Sequence, residues 1–102
     1  MTYKAPVNDI IFTLNHEAGF DRLVQSGAYP DLSDDLVDAI LGEAAKFADN
    51  IVAPLSWQGD QTGARLEDDG VKVPASFKEA YAKDVESGWS TLAAPTDYGG
   101  QG

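Results

Sequence analysis

The residues whose types and spacing bear most directly on function are Pro95, Tyr98, Gly99, Gly100 and Gly102, in the run Ala94-Pro-Thr-Asp-Tyr-Gly-Gly-Gln-Gly102. Proline fixes its own φ, and glycine reaches backbone conformations closed to other residues. The run therefore predicts a shaped loop that delivers the chain to a further element. A phosphate cradle is the competing chemistry for glycines this close together. Here the spacing is GGxG, Asp-Tyr rather than a buried strand precedes it, and no P-loop lysine follows, so neither nucleotide-binding motif is met.

The remaining chemistry-bearing side chains are isolated. His16 is the single histidine and cysteine is absent, which leaves no pair for a metal site and no thiolate nucleophile; a surface or helix-end role is the reading for His16. Asp31, Asp34, Asp35 and Asp38 lack the alternating ligands, central glycine and distal glutamate of a calcium loop, and negative charge at a helix start accounts for them. The acids from Asp60 to Asp69 depart from that pattern too. Phe47, Trp57, Phe77, Tyr81 and Trp89 recur at helical spacing, which marks core rather than a cofactor box. The expected inventory of catalytic residues, cofactor-binding residues and metal ligands in this chain is empty.

The elements that must position the loop read as all-α, a small helical domain. A chain of 102 residues, 43% hydrophobic, is expected to form one core. Asn8 is a candidate cap for a short helix whose apolar face is Val7, Ile10, Ile11, Leu14 and Ala18, with Gly19 as its stop. A second short helix is predicted over 20–26. The strongest helix runs from Asp34 to about Ala53 behind an N-cap at Ser33, and Pro54 is expected to end it or to kink it towards Trp57. Its stripe of Leu36, Ile40, Phe47, Ile51 and Leu55 is wide enough to face more than one neighbour. Gln58 to Gly70 reads as an exposed loop or linker, Val71 to Pro74 as a brief extended piece, and a last helix is predicted to start near Pro74 to Ser76 and run to Ser87, capped by Gly88. No convincing strand pair is predicted.

Seven basic against seventeen acidic residues give a formal charge of -10, which disfavours nucleic acid and anionic membrane surfaces as partners. The first twelve residues, MTYKAPVNDIIF, do not have the pattern of a signal peptide, and the apolar runs are far too short to cross a bilayer, so a cytoplasmic location is expected.

Several separated elements together resemble the acyl-CoA dehydrogenases. Tyr3 to Val7, Asp9 and the Phe12-x-Leu14 pair resemble an N-terminal extension found on the longer, 3-methylmercaptopropionyl-CoA dehydrogenase-like members. Ala53-Pro54-Leu55, Gly59-Asp60, Val73-Pro74-x-Ser76-Phe77-Lys78, Gly88-Trp89 and Ala94-Pro95-x-x-Tyr98-Gly99-Gly100-Gln101-Gly102 resemble the N-terminal helical domain. Thr96 departs from the family, where a glutamate is usual. The resemblance divides the chain into an extension over 1–30 and a helical domain over 31–102, incomplete at its C-terminal end, so the chain looks like the front piece of a longer enzyme.

That family binds FAD non-covalently and oxidises an acyl-CoA to the 2,3-enoyl-CoA, a glutamate removing the α proton while hydride passes to the flavin. The resemblance places that glutamate and most flavin contacts in later domains, so this piece alone is expected to be inactive and to bind no FAD. It implies acyl-CoA as substrate, the remaining domains of the same enzyme and a homo-oligomer as partners, and a role for Pro95, Tyr98, Gly99, Gly100 and Gly102 in leading to the helix that lines the acyl cavity. Because coenzyme A is anionic, the groups holding its phosphates are expected mostly outside so acidic a chain. The alternative is a free-standing acidic helical interaction module whose apolar stripe over 36–55 takes a partner helix.

Overall fold

The computed structural model describes residues 2–102. The chain is helical almost throughout, with α1 over Val7–His16, α2 over Phe20–Gln25, α3 over Asp34–Phe47, a π-helical turn over Ala48–Val52, α4 over Ala53–Thr62 and α5 over Ala75–Ser87. A two-stranded antiparallel hairpin, β1 (Arg65–Glu67) and β2 (Gly70–Lys72), stands between α4 and α5, and short 3-10 turns lie at Trp89–Thr91 and Thr96–Tyr98. Contacts group into two compact units, one ending at Asn50 and one running from Ile51 to Gly102.

In the first unit, the apolar faces predicted from periodicity meet. Ile11 and Leu14 of α1, Phe20 of α2 and Val37 of α3 line one small cleft. Gly19 takes φ 68 between α1 and α2, a left-handed conformation that suits glycine and turns the chain sharply. Ser33 caps α3 as its residue type predicts, its hydroxyl accepting from the Leu36 N–H at 3.2 Å. Asn8 is no cap: α1 starts one residue earlier, behind Pro6, and carries no side-chain cap. The proline sets the start, because its fixed φ suits a helix end. Before α1, the Ala5 N–H donates to Asp49 Oδ1 at 2.8 Å, and Lys4 pairs with the other oxygen of that carboxylate at 3.7 Å. His16 is exposed and its ring lies 4.6 Å from that of Phe12, centroid to centroid.

Pro54 neither ends the helix nor leaves it regular. It has no N–H to donate, and the ladder switches to π spacing over Ala48–Val52 immediately before it. The register is thereby reset, and α4 begins with Pro54 in its first turn, where a missing donor costs little. The helix then continues through Trp57 to Thr62.

The expected linker over 58–70 is therefore ordered, and its glycines have structural duties. Gly59 sits inside α4, so close to Phe77 of α5 that a Cβ would overlap the ring. Gln58 and Ser76 bridge the same two helices at 2.9 Å. Gly63, at φ 65, ends α4, and Gly70, at φ 127, follows the Asp68-Asp69 turn of the hairpin. The register pairs Arg65 with Lys72, Leu66 with Val71 and Glu67 with Gly70. A strand pair was not predicted because each strand is three residues long, too short for alternation to emerge above its acidic setting.

Among the described residues Pro74 is buried, and every other aliphatic or aromatic side chain keeps part of its surface in solvent. The single core expected from composition is replaced by two thin interfaces, one in each unit. Leu36, on the stripe of α3, is 41% exposed, and in the second unit Trp57 is 74% and Leu66 83% exposed.

Candidate functional site

α5 ends at Ser87, and Gly88 caps it in the left-handed region at φ 78, as its position after the last periodic residue predicts. The chain then makes a 3-10 turn over Trp89–Thr91, passes Ala93-Ala94 and reaches Pro95, whose φ of -59 and ψ of 146 place it in extended backbone. Thr96–Tyr98 form a second 3-10 turn. Each main-chain N–H from Gly99 to Gly102 then returns to a carbonyl of the preceding segment: Gly99 to Thr96 and Gly100 to Pro95, both at 3.0 Å, Gln101 to Thr91 at 3.1 Å and Gly102 to Ala94 at 2.9 Å. The loop is thus closed by its own backbone, as a proline and glycine punctuated run requires.

The structure brings the five predicted loop residues together in one turn-rich segment. Pro95 starts the loop and offers its carbonyl to Tyr98 and Gly100. Tyr98 closes the 3-10 turn and presents its ring to solvent, 87% exposed. Gly99 and Gly102 hold positive φ, 83 and 90. Gly100 does not; it is a glycine because a Cβ there would overlap the main-chain carbonyl of Ala94, so the requirement is close approach rather than a left-handed φ. Thr96 is exposed at the start of the second 3-10 turn.

One side chain that ties the loop to the end of α5 was not singled out as a site residue from sequence. The side chain of Gln101 crosses back to the end of α5, its Nε2 donating to the Gly88 carbonyl at 3.0 Å and lying 3.4 Å from the Thr91 hydroxyl. The Thr91 hydroxyl itself donates to the same carbonyl at 2.9 Å. The only available signal was an amide side chain standing between two glycines of a tight loop.

The main-chain N–H groups of residues 99–102 and the Gln101 side chain are thus committed to shaping the loop. Among the described residues there is no cluster of histidine, cysteine or carboxylate able to hold a metal ion, and no helix long and apolar enough to cross a membrane. Four of the seven basic residues, Lys4, Lys46, Lys72 and Lys83, pair with carboxylates within a few residues or across the first unit.

No family model matches the chain. Individual proteins do. All 102 residues align, at 39% identity, with 3-methylmercaptopropionyl-CoA dehydrogenase of Ruegeria pomeroyi. Over its whole length the chain is similar to an acyl-CoA dehydrogenase. A second dehydrogenase relative, the broad-specificity linear acyl-CoA dehydrogenase FadE5 of Mycobacterium tuberculosis, is 27% identical over 100 residues, 96% of the chain. The chain spans only about a sixth of the length of these dehydrogenases, 17% of the first and 16% of the second. The resemblance read from separated motifs therefore extends along the entire chain, and the helical fold agrees with it.

Proposed function

We propose that this chain is the N-terminal helical portion of a flavin-dependent acyl-CoA dehydrogenase, contributing one wall of the acyl site and a surface on which later domains pack. The observation that carries the reading is the 39% identity over every residue of the chain to a protein about six times as long. Exposed apolar side chains support it: Trp57, Leu66, Val71 and Tyr81 all stand in solvent in the second unit, available to be covered by later domains. Residues 1–30 are the extension and 31–102 the helical domain in this reading. The loop from Pro95 through Tyr98, Gly99 and Gly100 to Gly102 directs the chain into the helix that borders the acyl cavity.

The residues present do not fit FAD by themselves. A dinucleotide carries a pyrophosphate, and this chain has a net charge of -10, with most of its lysines already engaged by carboxylates. No glutamate here is assigned as the base that takes the α proton. In the complete enzyme, flavin would supply hydride acceptance and the later domains the base and the phosphate contacts. This chain's part is to bound the cavity and exclude water from it. Acyl-CoA is the substrate in this reading, with a homo-oligomer in a cytoplasmic setting as the working form. The interaction-module alternative draws on the same exposed apolar stripe, but the full-length identity to dehydrogenases does not follow from it.

The test is to express the longest natural reading frame that contains the chain, alongside the chain alone, and to record flavin absorbance before and after adding acyl-CoA. The longer polypeptide is expected to carry flavin and to bleach on addition of acyl-CoA, and the 102-residue chain to carry none. A longer polypeptide without flavin, or with flavin that acyl-CoA leaves oxidised, would sink the reading.

A further inference from the structure

We infer that Gln101 is a positioning residue, a clasp that sets the direction in which the chain leaves the loop at Gly102; its effect on turnover rests on the reading of that loop as the lead into the acyl cavity. The main-chain bonds of residues 99–102 all end between Thr91 and Thr96, so they close the loop upon itself without tying it to α5. The Gln101 side chain makes that tie. It reaches back thirteen residues to the Gly88 carbonyl at 3.0 Å, while the Gln101 N–H holds the Thr91 carbonyl at 3.1 Å.

Gly88 is suited to receive it. As the residue that caps α5, it has a carbonyl outside the helix ladder, open to other donors. That carbonyl accepts from the Thr91 N–H at 3.1 Å, the Thr91 hydroxyl at 2.9 Å and Gln101 Nε2. Since the Thr91 hydroxyl spends its proton on Gly88, its oxygen is left as an acceptor, the role required by the Gln101 amide 3.4 Å away. Gln101 must therefore donate. A glutamate of the same shape offers only acceptors to a carbonyl and a lone pair, and cannot replace it. Gly88 itself leaves room: a Cβ there would stand 3.1 Å from Nε2.

The test uses the full-length polypeptide with Gln101→Glu, which keeps shape and removes the donor, Gln101→Ala, which removes both, and Gln101→Lys, which restores a donor. Amide exchange at Gln101 and Gly102 is expected to quicken in the Glu and Ala variants and to stay slow in the Lys variant, with α5 amides and the melting temperature unchanged. For acyl-CoA-dependent flavin reduction, kcat/KM is expected to fall about tenfold in the first two, the scale of a small misplacement beside a reacting centre, and to recover in the third. Unchanged exchange in the Glu and Ala variants overturns the clasp whatever the enzyme assay shows. Faster exchange with parental kinetics overturns the positioning role, and a Lys variant as impaired as Ala overturns the donor requirement. If the unaltered polypeptide does not reduce flavin with acyl-CoA, the functional reading fails, and exchange alone decides the clasp.

Discussion

Gly42 and Gly100 are both glycines in ordered backbone, one in each unit, and their surroundings differ completely. Around Gly42, inside α3, no atom beyond its chain neighbours and the helix's own backbone lies within 4 Å of where a Cβ would stand; at Gly100 a Cβ would overlap the backbone of Ala94. The first unit is assembled from apolar faces that meet at helical spacing, with a long-range polar tie at Asp49. The second is assembled through glycines: Gly59 admits Phe77, Gly88 caps α5, and Gly99, Gly100 and Gly102 bring the loop back onto itself. Side-chain packing tolerates replacement by degrees, because neighbours can adjust. Backbone contact does not, because the atom in the way is a carbonyl fixed by its own hydrogen bonds.

The sharpest way to break this comparison is Gly100→Val in the longest natural polypeptide containing the chain. It should cost about 3 kcal/mol or disorder the loop outright, since the valine methyls meet a main-chain carbonyl that also accepts the Gly102 N–H. Urea denaturation with exchange at Gly99 to Gly102 measures both, and a variant with parental stability and a protected loop would remove the distinction between the units. Impaired turnover with the helices intact is the outcome expected if the loop shapes the acyl site.

A middle-sized effect is expected at the polar tie of the first unit. Asp49→Ala removes the acceptor for the Ala5 N–H and the partner of Lys4, and should cost about 2 kcal/mol, since hydrogen bonds to charged groups exceed neutral ones. Asp49→Asn keeps the acceptor oxygen and should recover most of that loss, because Lys4 is exposed and its ion pair contributes little. Equal loss in the two variants would shift the weight from the hydrogen bond to the ion pair, which falling stability with added salt would then confirm.

The smallest effect has the opposite sign. Gly42→Ala should stabilise by roughly 0.5–1 kcal/mol, because the helix interior has room for a methyl and alanine loses less backbone freedom on folding. A chemical denaturation midpoint that falls instead would mean that α3 presses that face against something the chain's own atoms do not show.

The helices were legible because apolar spacing and caps are local signals. Ser33 and Gly88 lie where residue type places them, and α1, α3 and α5 carry their apolar residues at intervals of three and four. The stretch from Gln58 to Gly70 was misread because composition reports how many glycines there are, not what stands opposite them. Gly59 looks like linker until Phe77 is found against it, and the hairpin was hidden by strands too short to show a period.

What the sequence by itself determined was the helical class, the caps at Ser33 and Gly88, the glycine loop from Pro95 to Gly102 and the resemblance to acyl-CoA dehydrogenases, each written in neighbouring residue types or in motifs read in order. Tertiary structure alone decided that Pro54 is answered by a π turn, that Gly100 serves a close approach rather than a positive φ, and that Gln101 reaches Gly88. Those facts depend on which atoms meet across several to many residues, and such meetings are set by the folded path rather than by any local preference of the chain.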